Sequence, residues 1–158
     1  MSDARFADLA ADLEREILAD IPLTRAMHLR VGAADGDRVS LVAPLAPNVN
    51  DKGCAFGGSL ASALTLAGWA LLVLRLRAAE LACEVYVQDS QLRYLAPVWG
   101  DFRAEAHLAE GESWEAFFAA LAARGKGRLR VVAEVAGADG PATTLEARFV
   151  ALAAAPRA

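Results

Sequence analysis

The chain has 158 residues, 56% of them hydrophobic, with a formal net charge of −4 and a sequence pI near 5.2. Those values describe one domain able to bury a full core. They exclude the basic field that nucleic acid or an anionic membrane surface would need. Two cysteines, Cys54 and Cys83, are too few for a disulfide framework, and the charged start MSDARFADLAADLERE lacks a signal-like apolar stretch. A cytoplasmic location is the expectation.

Residues 3–20 read as a helix, because Phe6, Leu9, Leu13 and Ile17 recur at helical spacing and Ser2 or Asp3 can cap the start. After Pro22, Met27, Leu29 and Val31 alternate with His28 and Arg30, which predicts a strand. DGDR at 35–38 turns the chain, and Val39, Leu41 and Ala43 mark a second strand that stops at Pro44 and Pro47. A loop and a long helix, about 57–79, follow, with Arg75 and Arg77 suited to the C-terminal end of its dipole. CEVYVQDSQLRYLAPV, 83–98, reads as a long strand, and Phe102, Ala104, Ala106 and Leu108 mark the next. SWEAFFAALAARG, 113–125, is a short helix stopped by Gly125. Leu129, Val131, Ala133 and Val135 then alternate, ADGP turns, and Leu145, Ala147, Phe149 and Ala151 form the last strand.

The run from Gly53 to Leu74 carries no charge and meets a length test for a membrane span. Four Gly, two Ser and a Thr dilute its hydropathy, and amphipathic strands follow it. A helix apolar on every face can equally be the central helix of a globular fold. A curved antiparallel sheet wrapped about it would cover it all round, an α+β arrangement with no membrane contact. The expected division is an N-terminal helix, 1–24, packing on a main domain, 25–158.

N-x-x-G-x-x-F-G-G, Asn50 to Gly58, followed by Y-L-x-P, Tyr94 to Pro97, resembles the N-x-x-G-x-x-H-G-G signature of hotdog-fold acyl-thioesterases. PLAPNVNDKGCAFGGSL with QDSQLRYLAPVWGDFRAEA, and the short helix before GKGRLRV, is similar to a narrower hotdog family. That family was long labelled thioesterase, is sometimes fused behind an acetyltransferase domain, and has members described as malonyl-ACP decarboxylases. The resemblance implies a hotdog fold and a homodimer joined by edge strands. It also implies a substrate carried on the phosphopantetheine of an acyl carrier protein or CoA, with no further cofactor; no clustered His/Cys set has metal-ligand spacing, so no metal is expected. Two positions depart from the thioesterase pattern. Phe56 stands where the His of H-G-G would be, and the helix acid usual seven residues after the second Gly falls at Thr65.

An open helix N-terminus presents unpaired N–H groups and about half a positive charge. Gly57 and Gly58 let a thioester carbonyl approach the backbone at Gly57–Ser59, where one hydrogen bond is worth about 3–4 kcal/mol in the transition state. That serves the oxyanion of hydrolysis and the enolate of malonyl decarboxylation alike. Hydrolysis also needs a base, and no Asp or Glu lies between Asp51 and Glu80. Losing CO₂ needs no base, and an ionised acid would repel the substrate carboxylate. Decarboxylation of malonyl-ACP to acetyl-ACP is therefore favoured, with Asn50 orienting the malonyl group beside Phe56. Asp51 and Asp89 are the candidate bases of the rival hydrolytic reading. Ser59, Ser62 and Thr65 lie along one helical face and either line the acyl site or bond back to the helix. A third alternative is a non-catalytic module that binds an acyl thioester as a sensor.

Overall fold

The computed structural model describes residues 3–155. Helix α1 (Asp3–Asp20) buries one stripe, Phe6, Ala10, Leu13 and Ile17. These side chains join the same apolar cluster as the rest of the molecule, so α1 completes the core. The capping reading for Ser2 falls outside the described residues.

Pro22 opens a second helix, α2 (Pro22–Ala26), at the position where its missing N–H has no helical acceptor to lose. His28 then turns left-handed, φ 53, with its N–H on the Arg25 carbonyl at 3.0 Å and the Leu29 N–H on the Thr24 carbonyl at 3.0 Å. This is a Schellman ending. It corrects the strand expected from residue 27. Met27 and Leu29 are buried as the alternation required, but a turn places them, and strand β1 (Arg30–Ala34) begins only after it.

Strands β1, β2 (Arg38–Ala43), β3 (Cys83–Tyr94), β4 (Phe102–Leu108), β5 (Lys126–Gly137) and β6 (Gly140–Ala153) form one antiparallel sheet in the order β1-β2-β4-β5-β6-β3. Pairs such as Leu41↔Ala104, Ala106↔Ala133 and Val131↔Ala147 point their side chains inward, and their small size lets the sheet close on a helix. That helix is α3 (Gly57–Ala78), which packs on β2, β3, β4, β5, β6 and α1. By length and composition α3 could cross a membrane. Its apolar surface is instead spent on the core, where twelve of its residues are buried. Gly68 sits where α3 meets β6, and a Cβ there would stand 2.7 Å from Phe149 Cε2. Helix α4 (Trp114–Arg124) is bounded as its sequence suggests. Ser113 Oγ accepts from Ala116 N at 3.1 Å, and Gly125 takes φ 66. Curved six-stranded sheet and central helix together make the α+β hotdog architecture.

The strand expected to run to residue 98 ends at Tyr94. The N–H groups of Leu95 and Ala96 both turn to the Ala142 carbonyl, at 2.8 and 3.1 Å, and Pro97 has no N–H to continue a ladder. The two sheet edges are treated differently. On β1, α1 packs alongside and Glu14 Oε2 takes the Val31 N–H at 2.8 Å. On β3 the edge is left open, with Tyr86, Val87 and Tyr94 between 45% and 55% exposed.

Candidate active site at the start of the central helix

The loop before α3 is held by its own backbone. Val49 and Ala55 form an antiparallel bridge, and Asn50 N donates to Cys54 O at 2.8 Å. Gly53 N donates to Asn50 O at 3.2 Å, with Gly53 at φ 87. Ala55 N reaches Val98 O at 2.8 Å and Phe56 N reaches Asn48 O at 2.7 Å, so the approach to the helix is pinned on both sides.

Asn48 ties the loop to two other elements. It is buried, and its Nδ2 donates to Met27 O at 2.9 Å and Pro44 O at 2.8 Å, stapling the α2 turn to the end of β2. Asn50 spends its side chain inside the loop. Oδ1 accepts from Lys52 N at 2.8 Å and Cys54 N at 3.2 Å, and Nδ2 donates to Cys54 Sγ at 3.2 Å. Asp51 points away, its side chain 79% exposed and both its oxygens 3.0 Å from Lys52 Nζ. Asp89 lies beyond a bulge in β3, on the outer face of the sheet opposite Arg148, 3.8 Å from its guanidinium. Within one chain Asn50 is held inside the loop that leads to the helix, Asp51 is paired with Lys52, and Asp89 faces Arg148 on the sheet.

Phe56 is the N-cap of α3, in extended conformation, and no side chain caps the helix. The N–H groups of Gly57, Gly58 and Ser59 have no acceptor among the described residues. Three donors and the positive end of a 22-residue helix thus converge on one point. Two aromatic rings flank that point. Phe56 lies over Gly58, where a Cβ would meet Phe56 Cε1 at 2.4 Å, and Tyr94 lies over Gly57, where a Cβ would meet Tyr94 Cε1 at 3.3 Å. Tyr94 Oη also donates to Gly57 O at 3.2 Å. Both rings remain more than half exposed, Phe56 and Tyr94 each at 55%. Ser62 Oγ bonds back to Gly58 O at 2.8 Å, while Ser59 and Thr65 are half-buried along the same side of α3.

Tyr94 was not among the site residues read from sequence. Its only signal there was the Y-L-x-P motif, which marks a strand end and says nothing of the glycine it reaches. Farther along β3, the Glu84 carboxylate accepts from Tyr86 Oη at 2.7 Å and raises the phenol pKa. Burial raises the Cys83 thiol.

The architecture and the open, glycine-paired helix start define a hotdog protein of the thioesterase type. Over residues 10–153 the chain matches the family described as "Putative thioesterase (yiiD_Cterm)", and it belongs to that family. A protein of unknown function from Chlorobaculum tepidum TLS is similar at TM-score 0.86 and 30% identity, covering 92% of this chain and 95% of that one. A "putative thioesterase" from Shewanella oneidensis superposes at TM-score 0.81 with 22% identity, over 92% of this chain and 99% of its own. A thioesterase from Haemophilus influenzae shares the fold at TM-score 0.68 and 14% identity, over 91% and 90% of the two chains.

Proposed function

We propose that the protein is an enzyme of acyl thioesters whose favoured reaction is the decarboxylation of malonyl-ACP to acetyl-ACP. The observation that carries this reading is the uncapped start of α3, with three free N–H groups and no carboxylate on the helix. A malonyl thioester carbonyl placed there accepts from these donors. The bond between C2 and the carboxylate breaks, CO₂ leaves, and the electron pair moves through C2 onto the carbonyl oxygen as an enolate. The N–H groups stabilise that charge in place, with no reorganisation during the reaction. A proton from solvent then completes acetyl-ACP. Phe56, which lies over Gly58, sets an apolar ring beside the thioester.

Hydrolysis is the second reading. It requires a base, and Asp51 is committed to Lys52 and water. Asp89 becomes available only if a second copy brings it across an interface. The open β3 edge supports such a copy. An exposed, aromatic-lined strand of 12 residues is ready for pairing, whereas the β1 edge is covered. A homodimer through β3 would close the edge and enclose the thioester against Tyr94. A sensor that binds a thioester without turning it over is the third reading.

Incubating the protein with malonyl-ACP and with acetyl-ACP, and following products by mass, decides among them. Acetyl-ACP from malonyl-ACP is expected. Free ACP from either substrate would establish hydrolysis instead, and binding without turnover would establish the sensor.

A further inference from the structure

The carbonyls of the glycine pair are each held by a side-chain hydroxyl. Tyr94 Oη donates to the Gly57 carbonyl at 3.2 Å, and Ser62 Oγ donates to the Gly58 carbonyl at 2.8 Å. Each carbonyl shares a planar peptide unit with the N–H of the next residue. The two hydroxyls therefore back the N–H groups of Gly58 and Ser59, two of the three donors left open at the start of α3. The third donor, Gly57 N–H, shares its unit with the Phe56 carbonyl. Among the described residues that carbonyl accepts only the helical Leu60 N–H, at 3.1 Å.

A donor on the carbonyl side polarises the peptide and makes its N–H a stronger donor. It also fixes the plane in which that N–H points. Ser62 is better placed than Tyr94 to do both. Its bond is shorter and part-buried, whereas the Tyr94 bond is exposed to solvent. Away from water a hydrogen bond is electrostatically stronger. Serine often bonds back to the carbonyl four residues earlier, and this slightly weakens a helix. In mid-helix such a bond backs an N–H that is already used by the helix. At Gly58–Ser59 the N–H is open, so the bond acts on whatever the helix start binds.

We propose that Ser62 is a positioning residue of the candidate site: its hydroxyl orients and polarises the Ser59 N–H, and with Tyr94 it makes Gly58 and Ser59 the donors that carry the charge developing on the thioester oxygen. Ser62 thus acts from behind the peptide, without touching the acyl group. The proposal rests on the thioester reading above. Its test compares the native protein with Ser62→Ala and Ser62→Thr, since a threonine hydroxyl can make the same bond back. Losing a whole donor costs about 10²- to 10³-fold, and the hydroxyl backs only a share of one, so kcat on malonyl-ACP should fall about three- to tenfold in Ser62→Ala. KM should stay within about twofold, as for an interaction that strengthens in the transition state, and Ser62→Thr should restore kcat. The thermal midpoint of Ser62→Ala should hold or rise, because alanine is the better helix former. Proton–nitrogen NMR reads the donor without turnover. The Ser59 amide proton should move upfield in Ser62→Ala and return in Ser62→Thr. An unmoved Ser59 amide overturns the proposal, as does native kcat in Ser62→Ala. A loss confined to KM puts the hydroxyl on the substrate and overturns it too. A loss that tracks a falling midpoint, or that threonine does not restore, reduces Ser62 to packing. The Ser59 shift without turnover by the native protein keeps the backed donor and removes the enzymatic reading, while native turnover that Ser62→Ala leaves unchanged does the reverse.

Discussion

Tyr94 Oη donates to the carbonyl of Gly57 at 3.2 Å, from the last residue of β3 to the first of α3. The Gly57 carbonyl and the Gly58 N–H belong to one planar peptide unit. Tyr94 therefore fixes the plane of a donor at the candidate site, and a hydrogen bond on the carbonyl side polarises the N–H. Tyr94→Phe keeps the ring and removes the hydroxyl. Because the group is exposed, stability should change by about 1 kcal/mol or less. Turnover of malonyl-ACP should fall about three- to tenfold, in kcat more than in KM. Unchanged kcat would reduce Tyr94 to a packing residue.

Gly58 and Gly68 lie on the same helix and predict opposite outcomes. Neither has positive φ, so alanine is acceptable to the backbone at both. At Gly58 the new methyl meets the Phe56 ring, which is 55% exposed and can swing aside. Gly58→Ala should keep its thermal midpoint yet lose about tenfold or more in turnover, because the methyl stands where the thioester approaches its donors. At Gly68 the methyl meets Phe149 inside the core. Gly68→Ala should cost about 1–3 kcal/mol by denaturant unfolding. A Gly58 variant that unfolds as readily as the Gly68 one would mean that the glycine pair serves packing.

The open edge gives a prediction about assembly. Val87 is 45% exposed on β3, beside the bulge before Asp89. Val87→Lys places a charge where a paired second strand would bury it, which natural edges use to block association. Sedimentation should show a dimer for the native chain and a monomer for the variant. Loss of turnover with the dimer would mean that a second copy completes the site. A variant that stays dimeric would move the interface elsewhere.

The long helix was legible because its signals are local. A charge-free run opened by paired glycines gave 57–79, against Gly57–Ala78 in the structure, and Ser113 and Gly125 bounded α4 for the same reason. Around His28 the local pattern misled. A left-handed turn that buries Met27 and Leu29 alternates in sequence as a strand does. Asn48 and Asn50 offer the same amide chemistry two residues apart. What separates them is distance in the fold. Asn48 reaches Met27, 21 residues away, as well as nearby Pro44, whereas Asn50 meets only its own loop. Tyr94 escaped notice likewise, since its partner Gly57 is 37 residues away.

Asn50 and Asp51 remain the pair to separate by substitution. The Asn50 amide makes its hydrogen bonds within the loop, through Oδ1 to two backbone N–H groups and through Nδ2 to Cys54 Sγ. Asn50→Asp keeps an acceptor for Lys52 N and Cys54 N but adds a negative charge and loses the Nδ2 donor. Asn50→Ala removes everything and should cost about 1 kcal/mol in stability. If Asn50 orients the malonyl carboxylate, the Asp variant should lose at least as much turnover as the Ala variant, because it repels the substrate while preserving the loop. If Asn50 only shapes the loop, the Asp variant should keep most of the activity that the Ala variant loses. Asp51→Asn should leave decarboxylation within about twofold of native, since its carboxylate already sits in water beside Lys52 and an exposed pair of this kind is worth about 0–1 kcal/mol. Product analysis of the three variants on malonyl-ACP reads all of this at once. Abolished turnover in Asp51→Asn alone would make Asp51 the base and hydrolysis the reaction.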